Sequence, residues 1–167
     1  MAKAIVRPPA EGLYEEDFPL WAERQAALLR AGRFDELDLE NLIEEVEDLS
    51  RRERKSVESY LEAIVEQLLK VALSPAERPR RGWLVTIDKQ RVKLARELTP
   101  TLRNHLQSEL PAIYDGLRRP VARELAKDRV PPDALPAVSP YTLEQILDPD
   151  WYPANVHGIS DPMPEGG

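Results

Sequence analysis

The sequence predicts an all-α fold: a single-domain bundle of about five helices, one of them long and amphipathic. Three observations predict it. Apolar residues recur at helical spacing over most of the chain, runs of alternating apolar and polar residues are absent, and prolines are confined to the ends and to segment junctions. None of the 16 prolines lies between Pro19 and Pro75, and that window holds one glycine, Gly32. With 167 residues, the chain is long enough for one domain with a real core.

The elements follow in order. Residues 1–12 read as a flexible arm, residues 13–153 as the helical domain and residues 154–167 as a disordered tail. The first helix starts at Asp17, an N-cap followed by Pro19 in the first turn, and stops at Gly32. Asp38 caps the next. Its stripe is Leu39, Leu42, Val46, Leu49, Val57, Tyr60, Ile64, Leu68 and Val71, in phase throughout. A single helix over 39–73 would be about 50 Å long, so a kink near Ser50 is an alternative. Ser74-Pro75 ends it.

A third helix runs from about Trp83 to Leu98. Val85 and Val92 form a weaker second stripe, which predicts burial on two sides. Thr99-Pro100 opens a stretch to about 128 that Pro111 and Pro120 should segment. Thr142 and Gln145 have capping-box spacing for a short helix ending near Leu147.

The order of "LDLENLIEEVEDLSRRER", "LLK", "W-x-x-T-I-x-x-Q-R" at 83–91 and "SPYTLEQILDPDWYP" resembles the bacterial, notably cyanobacterial, family catalogued as Domain of Unknown Function 29. The resemblance covers about residues 13–153. It implies an all-helical fold and supplies no established activity. The chain departs from the family pattern at Gln67, where histidine is expected, at Val71, where tryptophan is expected, and at Gly82, which replaces a serine.

Composition excludes several chemistries. There is no cysteine, so disulfides, thiolate metal sites and thiol nucleophiles are ruled out. No apolar run is long enough to span a bilayer, and the N-terminus lacks a signal-peptide core, which predicts a cytoplasmic protein with no membrane contact. No Gly-rich phosphate loop and no Ser–His–Asp signature occur. No Glu-x-x-His pair is present, and the two histidines are His105 and His157. Glu40, Glu44 and Glu47 share a helical side and read as a solvated face rather than a cation site, with Asn41 and Glu45 at the stripe's edge. No metal and no cofactor is expected.

Two features remain. Glu53 projects from the middle of the long stripe, between Leu49 and Val57. A buried, unpaired carboxylate would be costly, so it needs a partner. The expected solution is a buried polar layer of Glu53, Arg91, Gln90 and Trp83 that fixes helix register. Charge is also uneven. Residues 11–48 carry thirteen acids against Arg24, Arg30 and Arg33, whereas 78–105 carry eight bases against two acids. Arg78, Arg80, Arg81, Lys89, Lys93 and Arg96 form a candidate nucleic-acid contact, with Trp83 available to stack. The overall net charge of −7 opposes polyanion binding.

The sequence thus predicts a non-enzymatic module acting through an unknown protein partner or as a homodimer. A nucleic-acid-associated protein using 78–96 is the first alternative. A hydrolase-like enzyme with a Glu53/Arg91 pocket is the second.

Overall fold

A computed structural model describes residues 12–160. The expected flexible arm over 1–11 and the end of the expected tail, 161–167, lie outside the described residues. Six α-helices follow in order: α1 (Leu13–Glu16), α2 (Phe18–Arg30), α3 (Leu39–Leu73), α4 (Arg80–Glu97), α5 (Pro100–Leu125) and α6 (Leu143–Leu147), with 3-10 turns at Phe34–Glu36, Ala126–Asp128 and Pro132–Ala134. No strand occurs among the described residues. The chain forms two compact units, one up to Arg51 and one from Arg52 onward, and the boundary falls within α3.

In the first unit, the Asp17 side chain accepts a hydrogen bond from the Leu20 N–H, capping α2 beside Pro19. Gly32 takes a left-handed φ of 67°, which lets the chain leave the helix without Cβ strain. Tyr14, Phe18 and Trp21 cluster, the Tyr14 and Trp21 rings meeting edge to face at 4.9 Å. Asp38, ahead of α3, accepts from the Trp21 indole at 3.0 Å and from Asn41, while its own N–H donates to Gln25. Tyr14 donates to Glu45 at 2.7 Å. Asp38, just ahead of α3, and Glu45 within it thus supply polar links to α2 and α1, while the stripe residue Leu42 is half-buried.

The second unit holds the main core. Val57, Leu61, Ile64, Val65 and Leu68 of α3 pack with Ile87 and Leu94 of α4, Leu106 and Tyr114 of α5, and Leu143 and Ile146 of α6. Helix α3 is continuous over 35 residues, with no interruption at Ser50. Helix α4 begins three residues before Trp83, at Arg80. Its second stripe is not buried, since Val85 and Val92 are exposed. Helix α5 also differs from expectation, because Pro111 and Pro120 lie inside one unbroken helix. Each proline deprives the carbonyl four residues earlier of its donor. Those carbonyls belong to Gln107 and Gly116, both exposed, so water can replace the lost bond. Helix α6 carries the full Thr142–Gln145 capping box.

The end of α3 is closed by the start of the predicted tail. Asn155 donates to the Val71 and Ser74 carbonyls at 2.8 and 2.9 Å, and the Val156 N–H to that of Ala72 at 2.9 Å. The carbonyls of a helix's last turn have no partner within the helix, and this segment supplies one. Residues 155–157 are thus tied down where the sequence predicts disorder.

Candidate functional site

The expected Glu53–Arg91 layer does not form. Glu53 is exposed. Arg91 is buried on α4, but it turns to the C-terminal end of α6. Its Nε donates to the Ile146 carbonyl at 2.9 Å, and its Nη2 to those of Trp151 at 2.9 Å and Gln145 at 3.3 Å. These carbonyls form the negative end of a five-residue helix and the turn beyond it, so a cation is well placed there. The Tyr152 ring lies 4.9 Å from the guanidinium, and Tyr152 itself bonds Asp88. Burial lowers the affinity of Arg91 for its proton, while Tyr152 and Asp88 oppose that effect. Burial, followed by the bond to Asp88, pushes the Tyr152 hydroxyl up to about 12. Gln90 and Trp83 are half-buried, Trp83 against the core. The site pins the 145–152 segment.

The basic segment is also divided. Arg80 is buried and donates to the Val71 carbonyl at 2.6 Å, so it is a helix-end clamp rather than a phosphate contact. The other five basic residues, Arg78, Arg81, Lys89, Lys93 and Arg96, are exposed. Lys93 lies over the Tyr60 ring at 5.9 Å.

The histidines occupy separate places. His105 on α5 contacts the Glu58 carboxylate on α3. His157 approaches the Leu73 carbonyl at 3.0 Å, beside a cleft of about 380 Å³ lined largely by apolar residues such as Leu73, Val130 and Pro131, with Asp128 and Arg129. Ser74 lies nearby and is buried, but its hydroxyl donates to Asp128 at 2.6 Å. A hydrolytic triad requires serine to donate to histidine and histidine to the acid, and this wiring is different. Glu40, Glu44 and Glu47 are exposed, and no cluster of acids and histidines suited to a metal ion occurs among the described residues. No helix among them is long and apolar enough to cross a membrane.

What stands out instead is the first half of α3. Leu39, Ile43, Val46 and Leu49 are between 57% and 65% exposed, whereas Val57, Leu61, Ile64 and Leu68, in phase with them on the same helix, are at 0%. Eight of the twelve large exposed apolar residues among those described lie in the first unit, which buries only Leu13, Trp21 and Leu28 of that class. The four α3 side chains alone present on the order of 400 Å² of apolar surface, within the roughly 300–600 Å² of the largest such patch on a typical monomer. Sequence periodicity placed Leu39, Val46 and Leu49 in this stripe but gave it Leu42, which is half-buried, and not Ile43, which is exposed.

The model of the family described as Domain of unknown function DUF29 matches residues 13–152. The chain belongs to this family. The match spans both units of this DUF29 protein, including the exposed half of α3 and the Arg91 clamp. No curated protein and no solved structure matches the chain. In this DUF29 member, Gln67 is half-buried on α3 and Val71 is wholly buried.

Proposed function

We propose that this chain is a cytoplasmic, non-enzymatic interaction module whose docking face is the apolar stripe Leu39, Ile43, Val46 and Leu49. The observation that carries it is the break in burial along one continuous helix, exposed before residue 50 and buried after residue 57. Keeping four large apolar side chains in water forgoes several kcal/mol of burial, roughly 1.5–3 kcal/mol per residue. Such a face is expected where a second molecule covers it. The absence of cysteine fits a reducing compartment.

The test is the double substitution Ile43→Gln with Val46→Gln, both helix-compatible, with melting measured in dilute solution. Unchanged melting supports a face held free for a partner. A drop of more than about 6 °C would mean that these residues stabilise the isolated chain, and the reading fails.

A further inference from the structure

We propose that the outer face of α4 is a second docking surface, and that its partner is an acidic amphipathic helix of another protein. This stands independently of the α3 stripe.

Helical spacing builds the face. At 100° per residue, Arg81, Val85, Lys89, Val92 and Arg96 fall within an arc of about 80°. Ile87 and Leu94 lie on the opposite side, in the core of the second unit. All five residues of the arc are exposed, Val85 at 43% and Val92 at 52%. The arc extends about 22 Å along the helix, from Arg81 to Arg96.

The cations of this face are unpaired. Elsewhere on the chain, surface bases meet acids one turn away on their own helix: Arg51 with Glu47 and Asp48, and Arg118 with Asp115. No acid lies three or four residues from Lys89 or Arg96. The two acids of α4 are held by other side chains, Asp88 by Tyr152, and Glu97 by Ser56 and Tyr60. The side chains of Arg81, Lys89 and Arg96 make no ion pair or hydrogen bond among the described residues. An acidic partner relieves the repulsion along such a row.

The valines select among acidic partners. They sit between the cations, so a ligand that neutralises Arg81, Lys89 and Arg96 also covers them. A phosphate backbone offers nothing apolar there. A helix that lies in a membrane surface keeps its apolar side chains on a face apart from its cations, whereas on α4 both share one arc. A helix with leucines and acids three and four residues apart on one face meets both requirements. The net charge of −7 opposes binding by charge alone, which also favours a partner that adds apolar contact.

Fluorescence anisotropy tests this, with the full chain and a labelled helical peptide of about 16 residues that interleaves leucine and glutamate on one face. The expected result is saturable binding on the order of tens of micromolar, weakening several-fold between about 50 and 200 mM salt. Lys89→Glu lowers affinity about tenfold, and Val85→Ala with Val92→Ala about fivefold. Circular dichroism verifies that both variants remain folded. An oligoglutamate of equal length binds about tenfold more weakly than the peptide, and the Ile43→Gln, Val46→Gln variant binds the peptide as the wild type does. No saturable binding of the peptide, equal binding of the oligoglutamate, or an affinity unchanged by Lys89→Glu overturns the proposal. So does a DNA duplex or a phosphatidylserine vesicle that binds through Lys89 more tightly than the peptide. Peptide binding lost in the Ile43→Gln, Val46→Gln variant would move the contact to α3 and overturn the assignment to α4, leaving the α3 reading in place.

Discussion

Arg91 Nε donates to the carbonyl of Ile146 at 2.9 Å, across 55 residues of sequence, and the same guanidinium reaches the carbonyls of Gln145 and Trp151. Three backbone acceptors at one helix end are satisfied by a single side chain from α4. Removing it leaves buried carbonyls unpaired as well as the cavity of a long side chain. Arg91→Met should cost about 2–4 kcal/mol, a fall in Tm of roughly 5–15 °C. Arg91→Lys should recover only part, because an ammonium cannot fork to carbonyls in several directions. Equal melting of Arg91→Met and wild type would refute the clamp.

The two halves of α3 should respond oppositely to truncation. Leu61→Ala removes a fully buried side chain and should cost roughly 2–5 kcal/mol. Val46→Ala, at an exposed position, should change stability by less than about 0.5 kcal/mol in dilute solution. Urea denaturation of the pair, read by circular dichroism, checks the contrast.

Lys70 is nearly buried and bridges Glu66 at 2.6 Å and Glu124 of α5. Burial disfavours its charge, but hydrogen bonds to Glu124 and Glu66 prevail and raise its affinity for the proton above the ordinary 10.5. The same Lys70 hydrogen bond holds Glu124 below the ordinary 4.5, against a smaller opposing effect of burial. A carboxyl depressed in the folded state stabilises fully above its unfolded pKa, and that contribution disappears as pH falls through the folded value. Lys70 contributes below 10.5 and loses its contribution as pH rises through its raised value. Glu124 is half exposed, so the pair is worth only about 1 kcal/mol. Lys70→Met should therefore be less stable than wild type at pH 7, with a gap that narrows below pH 4.5 as Glu124 protonates. Melting curves at pH 7, 4.5 and 3 read this, and a gap constant across them would contradict it.

The exposed bases of α4 should not make the chain a polyanion binder. Arg80 is committed to the Val71 carbonyl, and the chain as a whole carries a charge of −7. A gel-shift assay with duplex and single-stranded 30-mers in low salt should show no salt-sensitive complex. Arg80→Ala should instead lower Tm by several degrees, since it uncaps the end of α3.

Much of the fold was legible because its signals are local. Asp17, Pro19 and Gly32 bracket α2, and Thr142 with Gln145 starts α6 through contacts within four residues. The prolines of α5 were misread because a proline's effect depends on whether the orphaned carbonyl meets water, and that is decided by which side of the helix faces the core. Asn155 gave no periodic or motif signal, since its partners, Val71 and Ser74, lie more than 80 residues earlier. The Glu53–Arg91 pairing failed for a related reason. Opposite charges on two amphipathic helices satisfy the sequence criterion equally well in many arrangements, and Arg91 found its acceptors on backbone that carries no sequence label.

By itself the sequence determined that this chain is helical, where most helices cap, and that one stripe runs the length of α3. Helical periodicity is a property of consecutive residues, so it needs no knowledge of neighbours. Only the tertiary structure decided which half of that stripe is covered. Burial depends on what packs opposite: from Val57 onward α3 meets core residues, whereas Leu39, Ile43, Val46 and Leu49 stay exposed.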